Sequence, residues 1–504
     1  MHRKKLALRS SIITFFMQLV IAFLAFISRK ITLKYLGVDY LGLNSTLTEI
    51  LSMLSLTDLG FAGAVMYRLY LPLANNDRDR ISQIVLFLKK IYVLVGTLIT
   101  ILGLILSLFL QFIITKVDIN MSIVYIAFYL LLISTVSTYF LAYGRTLLNA
   151  DRQIHVVSII DTLFNVIFSV LRIILLVRYK MYLLFVGMTI LQTVSSNIAV
   201  YIYCKRKYPW INRKQKVDQE TSKGIFADTR DIFIGKTTGY IFNSTDNIII
   251  SAVIGTGYVG LLGNYKTITN LILSLITSIV APIKPMLGNY ITTMSEIQTK
   301  ILISRYDFVR FTIANILLVP TFCLADHFIQ WWYGSDYSLG ILPVLLIVLI
   351  DYSSIMQGTV GECIDIAGLF KKINRVYIIA AVVNLIISIV GAFLWGVNAV
   401  LMGTLIGNMI QWYGRALVAY SYCFENVKGL EKYWRQQFQY FITFIFYIIS
   451  VMIIFSMLTS KKTLIMFLCK GVICVLIGCV EYWLIYKKRD EFIYMKSLFY
   501  KEDK

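Results

Sequence analysis

The chain has 504 residues, 58% hydrophobic and only 15% charged, with a mean hydropathy of +0.75. A water-soluble protein of this length carries more charge and shorter apolar runs, so the soluble classes are excluded. The net charge of +21 would suggest nucleic acid in a soluble domain, but in so apolar a chain it points to basic cytoplasmic loops, and no nucleic-acid partner is expected.

Runs of about 20 apolar residues, each long enough to cross a bilayer as a helix, recur from end to end. In chain order, spans are predicted at 11–35, 41–66, 85–113, 121–146, 155–177, 181–204, 232–254, 259–283, 306–326, 339–364, 374–395, 397–422, 437–459 and 463–486. The first run is too long for a cleaved signal peptide, and no small-residue cleavage site follows it. With 14 crossings and both termini cytoplasmic, most of the 48 Lys and Arg residues fall inside, as the positive-inside rule requires. Outside loops are then short. The longest runs from His327 to Leu339 and holds Trp331, Trp332 and Tyr333, which suit a membrane interface. No connection is long enough for an external catalytic domain. The longest inside loop, 205–231, reads as a basic, solvated linker.

A repeat runs through the chain. Leu36-Gly37-Val38-Asp39-Tyr40-Leu41-Gly42-Leu43 matches Ile254-Gly255-Thr256-Gly257-Tyr258-Val259-Gly260-Leu261 at an offset of 218 residues. Asn165 and Asn384 sit in similar apolar contexts one residue further apart. Six spans per copy place both copies the same way up, the parallel arrangement by which transporters build a central site. The expected fold class is an all-α polytopic membrane protein of 14 transmembrane helices. Its N-lobe is 1–204 (spans 1–6), its linker 205–231 and its C-lobe 232–422 (spans 7–12), around a central cavity. Two C-terminal helices (437–486) and a cytoplasmic tail (487–504) follow.

Residues three and four apart share a helix face. Span 1 aligns Thr14, Gln18, Ala22, Ala25, Ser28/Arg29 and Thr32; span 2 aligns Ser45, Thr48/Glu49, Ser52 and Ser55. Span 7 aligns Lys236, Gly239/Tyr240, Asn243 and Asp246/Asn247; span 8 aligns Lys266, Asn270, Ser274 and Thr277. Ser and Thr stripes also simply bond helices together. The charges are harder to dismiss, because an ionisable group in hydrocarbon faces a bundle interior or a wet cavity. By the repeat offset Arg29 corresponds to Asn247, beside Asp246, and Glu49 to Thr267, beside Lys266. Two readings stand: Arg29–Asp246 and Glu49–Lys266 salt bridges that close a cavity, or a wet vestibule whose cations attract an anionic head group. On the second, Arg29, Glu49, Asn243, Asp246, Asn247, Lys266 and Asn270 are the candidate substrate-binding residues. Asp246, Asp351, Glu362 and Asp365 are candidates for Na⁺ or H⁺ coupling. Gly358 and Gly361 weaken the span carrying the last three, although Glu362 and Asp365 also fit a merely hydrated helix end.

Other features point away from soluble-type chemistry. No Walker A sequence is present, and Asp77-Arg78-Asp79 reads as a solvated turn. His155 and His327 lack partners at ligand spacing. Cys469, Cys474 and Cys479 are evenly spaced but read as small core residues, so neither a metal site nor a disulfide framework is expected. Asp161 and Arg172 are too far apart for one helical pair, and no role is assigned to them. Pro282 and Pro285 predict a bend.

At Thr245–Ile268 (TDNIIISAVIGTGYVGLLGNYKTI), and at YLGVDYLGL with LSLTDLGFAGAVMYRLYLPLA between Tyr35 and Ala74, the chain resembles the polysaccharide-transporter branch of the multidrug/oligosaccharidyl-lipid/polysaccharide (MOP) exporter superfamily, the Wzx-type flippases. The resemblance covers the whole length. It implies a bacterial cytoplasmic-membrane protein, not an enzyme, that moves a polyprenyl-diphosphate-linked oligosaccharide outward by alternating access. Membrane lipid, a polysaccharide polymerase and glycosyltransferases are the implied partners. The peptidoglycan lipid-precursor flippase of the same superfamily carries arginines in its first two helices; here Arg29 fits the first, but the second has none before Arg68. No organic cofactor is implied. The rivals are that flippase, a cation-coupled drug exporter, and, from another class, a membrane-embedded polysaccharide polymerase or acyltransferase. The aromatics Phe438, Phe441, Phe444 and Tyr447 are expected to flank a groove for the lipid tail.

Overall fold

Inside hydrocarbon every backbone polar group must be bonded within the protein, and a helix does this within one segment. The computed structural model is helical accordingly, with no strand among the described residues, which are 20–55, 61–151, 153–211, 242, 244–280, 287, 296–422, 428–458 and 463–499. In chain order the helices are α1 (20–36), α2 (Val38–Leu54), α3 (Phe61–Ala74), α4 (Arg78–Ser107), α5 (Met121–Ala150), α6 (Ile154–Tyr179) and α7 (Tyr182–Lys207). Then come α8 (Ser244–Ile254), α9 (Thr256–Val280), α10 (Glu296–Trp332), α11 (Ile341–Met356), α12 (Gly358–Ile366), α13 (Phe370–Trp395), α14 (Val397–Tyr422), α15 (Lys428–Ser456), α16 (Leu464–Tyr486) and α17 (Asp490–Phe499). Nine helical segments among the described residues are long and apolar enough to cross a membrane. The protein is a multi-pass membrane protein.

The chain divides into two compact units, Met1–Gly260 and Leu261–Lys504. In unit 1, α5 packs against α4 and α7, and α6 against α7, around fully buried Leu43, Leu47, Leu88, Phe128, Leu147 and Val186. Side chains start these helices where the sequence supplies caps: Asp77 accepts from the Arg80 amide and Asn120 from the Ser122 amide.

The two copies of the repeated motif do the same job. Gly37 (φ 88°) ends α1 and Gly255 (φ 141°) ends α8, both in the region that favours glycine. A helix then starts at Val38 and at Thr256. Within unit 1 the first turns of these helices cross closely, with glycine at the points of nearest approach. A Cβ at Gly42 would overlap the Thr256 carbonyl oxygen, and one at Gly260 would overlap that of Val38. The contact is reciprocal, since Val38 and Thr256 are themselves counterparts in the repeat. At a further matched pair, Asp39 and Gly257, the glycine leaves room for the aspartate's carboxylate. The stretch before α5 clamps the junction, with Thr115 donating to the Ser251 carbonyl at 2.7 Å and Ser251 to that of Ile113 at 2.9 Å. The unit boundary therefore falls at Gly260, beyond the basic stretch 205–231.

In unit 2, α13 and α14 form a tight helical hairpin turning at Gly396 (φ 62°). Gly391 faces Ala399, Gly403 faces Ser388 and Gly414 faces Val376, the small-residue packing typical of helices in lipid. An aromatic cluster ties α15 and α16 to α10: Phe311 stacks on Tyr440 at 4.4 Å, and Phe308 meets Tyr486 at 5.2 Å.

Several expectations change. The span expected at 41–66 is two helices, Val38–Leu54 and Phe61–Ala74. Trp331 and Trp332 sit on the last turn of α10 rather than in a loop. Of the aromatics expected to flank a lipid groove, Phe444 and Tyr447 are buried inside unit 2, and Phe438 faces outward. Of the three spaced cysteines only Cys474 is buried; Cys469 and Cys479 are exposed. Pro282 and Pro285 lie outside the described residues.

Candidate functional site

The polar stripe of α1 repeats every turn, and the structure turns part of it onto a cavity. Ala25, Ser28, Arg29 and Thr32 line a space of about 240 Å³ in unit 1, together with Asn44 and Ser45 of α2. Asn165, Ser169 and Arg172 close it from α6, and Phe185 from α7. Two arginines thus share one cavity, and none of the residues lining it is a carboxylate. Arg29 Nη2 donates to the Gly260 carbonyl at 2.8 Å, which fixes the guanidinium against the crossing described above. Arg172 bonds only neutral groups among the described residues: Thr189 and Ser169 at 3.1 Å and Gln192 at 3.3 Å, with its plane 5.1 Å from the Phe185 ring. Such a fork keeps its positive charge for an outside anion. Arg172 has no acidic partner at helical spacing on its own helix, and its bonds to Thr189 and Gln192 run to α7. The telling signal was the stripe Asn165, Ser169, Arg172, at helical spacing. Asp161 pairs elsewhere, accepting two bonds of 2.7 Å from Arg145, with Asn197 and Ser196 completing the set.

The other expected members fall into place around this. Asn247, the repeat counterpart of Arg29, donates to Glu49, and Asp246 is buried beside it at 4% exposure. Asn243 lies outside the described residues. In unit 2, Lys266 is an electrostatic neighbour of Asp351, which is buried. Asn270 is exposed.

Glu362 and Asp365 line a second, larger cavity of about 460 Å³ in unit 2. Glu362 accepts from Arg310 at 2.7 Å and from Tyr306 at 2.9 Å, so its charge is met by the protein. Gly358 and Gly361 have a steric purpose here. A Cβ at Gly358 would overlap the Arg310 guanidinium, and one at Gly361 would stand 3.3 Å from Nη1 of Arg415. Arg310 and Arg415 went unweighed in the sequence because each lies near the end of a predicted span, where a charge reads as loop. The glycine pair on the facing helix was their signature.

The family model described as polysaccharide biosynthesis protein matches residues 7–290, more than half of the chain. No curated protein matches by sequence. The structure is similar to the lipid II flippase MurJ in its inward closed conformation, with TM-score 0.71 and 14% identity, over 95% of this chain and 99% of that one. It is also similar to an inward-facing multidrug resistance MATE family transporter of the MOP superfamily, with TM-score 0.60 and 16% identity, over 83% and 99%. The Vibrio cholerae MATE transporter VcmN follows, with TM-score 0.51 and 13% identity, over 86% and 100%. At identities this low the likeness establishes a shared fold with these transporters, and the sequence match establishes the family: the chain belongs to the polysaccharide biosynthesis protein family.

Proposed function

We propose that the protein is a flippase that carries a polyprenyl-diphosphate-linked oligosaccharide from the inner to the outer leaflet of the bacterial cytoplasmic membrane, for surface-polysaccharide assembly. The observation that carries this reading is the pair Arg29 and Arg172 on one polar-lined cavity within apolar helices. A glycan diphosphate crosses hydrocarbon only if its polar groups find replacement partners, since each costs several kcal/mol when stripped bare (~2–7). An arginine fork grips two phosphate oxygens at once. Family membership supports the polysaccharide substrate. The likeness to a lipid II flippase supports a second reading, in which the cargo is the peptidoglycan lipid precursor with the same diphosphate. A basic cavity suits cationic drugs poorly. The Lys and Arg distribution supports cytoplasmic termini, and the partners this reading implies are a polymerase and glycosyltransferases. Outward movement of one negative charge across an inside-negative membrane gains ~2.3 kcal/mol per 100 mV. Na⁺ or H⁺ coupling through Asp246 or Asp351 is the alternative drive.

The test is export in a deletion strain complemented with Arg29→Ala or Arg172→Ala, with membrane levels matched. Each loses charge-assisted bonds of ~1.5–3 kcal/mol, so export falls about tenfold or more. Full export by both variants removes the anion-cavity reading. Single repeat units on the surface of the deletion strain would indicate a polymerase. Rescue of a lipid II flippase depletion selects the second cargo.

A further inference from the structure

The two-arginine cavity of unit 1 serves the function just proposed. The larger cavity of unit 2 has donors that this function does not use. Arg310 is spent within the protein: it donates to Glu362, to the Tyr306 hydroxyl at 3.0 Å and to the Ile355 carbonyl at 3.0 Å. Arg415 is different. Its Nε donates to the Tyr377 hydroxyl at 3.1 Å and its plane lies 5.1 Å from the Tyr377 ring. Its Nη1 and Nη2 have no hydrogen-bond partner among the described residues, and it lines the cavity. Tyr377 therefore aims the fork, and Gly361 leaves space for it.

A neutral donor stands on the same cavity. Ser354 Oγ accepts from Asn408 Nδ2 at 3.0 Å, which leaves its hydroxyl proton to donate into the space. The repeat sharpens the contrast. Arg415 occupies the place of Asn197, 218 residues earlier. In unit 1, Asn197 completes the shell of Arg145, whose guanidinium is already met by Asp161. In unit 2 that place holds an arginine whose free nitrogens face a cavity instead.

We infer that unit 2 carries an anion site of its own, in which the Arg415 fork and the Ser354 hydroxyl bind a phosphate ester or diphosphate. The ligand is either a phospholipid head group or a soluble diphosphate, and the site stands whether or not the cavity of unit 1 transports glycolipid. Asp365, on the exposed side of the same cavity, opposes the ligand's charge and weakens its binding.

The test titrates inorganic diphosphate by calorimetry into the full chain, held in phosphatidylcholine nanodiscs and carrying Arg29→Ala with Arg172→Ala, so that only unit 2 reports. The expected result is binding that weakens about tenfold or more with Arg415→Gln, the loss of one charge-assisted fork, and that tightens severalfold with Asp365→Asn. A site distorted by mutation would not gain affinity, so Asp365→Asn keeps the test decisive if Arg415→Gln fails to fold. Native mass spectrometry assigns the source. Phosphatidylglycerol retained by the parent protein and lost with Arg415→Gln identifies a lipid head group; its absence beside diphosphate binding identifies a soluble ligand. The inference is overturned if neither probe binds, or if neither Arg415→Gln nor Asp365→Asn shifts the affinity.

Discussion

Gly42→Ala and Gly260→Ala will each lower the melting midpoint sharply, although alanine is the better helix former by ~1 kcal/mol. Each added methyl would overlap a backbone carbonyl, of Thr256 in one case and Val38 in the other. A side chain can swing aside from an intruder; a carbonyl inside a crossing of two helix starts moves only if the crossing opens. Overpacking costs ~1–3 kcal/mol where neighbours yield, so the top of that range is expected here, ~3 kcal/mol. Gly187, within α7, is the control: nothing lies within 4 Å of its would-be Cβ. Gly187→Ala should be neutral or slightly stabilising, by up to ~1 kcal/mol. Melting followed by size-exclusion chromatography in detergent measures all three. A Gly42→Ala protein that melts with the parent would mean that the crossing is loose.

The second large effect concerns Arg310 and Glu362, whose side chains are 8% and 16% exposed and 2.7 Å apart. Arg310→Met alone strands a buried carboxylate, and Glu362→Met alone strands a buried guanidinium. Either is expected to cost ~3–5 kcal/mol, whereas replacing both by apolar groups of like volume is close to neutral. The double variant should therefore recover most of the stability lost by each single one, so that the coupling energy approaches the sum of the two single losses. Simple addition of the two losses would show that the pair does not act as a unit. Arg145–Asp161, at 26% and 42% exposure, is closer to the surface case. Solvent screening reduces its worth toward ~1 kcal/mol.

Apolar runs alone placed most of the helices. Val397–Tyr422 was legible to the residue, because a turn glycine precedes it and an apolar run fills it. Glu296–Trp332 was not. Its 37 residues pass through Glu296, Lys300, Arg305 and Arg310, and a reading that ends a membrane span at its charges cuts such a helix short. Arg29 was readable, lying on a polar stripe inside a long apolar run. Arg310 and Arg415 depended on which helices become neighbours, and local pattern does not encode that. Gly358 and Gly361 do more than weaken their span, which breaks between Met356 and Gly358: they also make room for the guanidinium groups of Arg310 and Arg415.

The duplicated motif holds one further consequence, at Asp39 and Gly257. An aspartate in both copies would force two carboxylates into one cleft, and a glycine in both would leave that cleft half empty. The two copies have therefore ceased to be interchangeable parts. A chain that began as a doubling now has a left hand and a right hand, told apart at this junction by a single carboxylate.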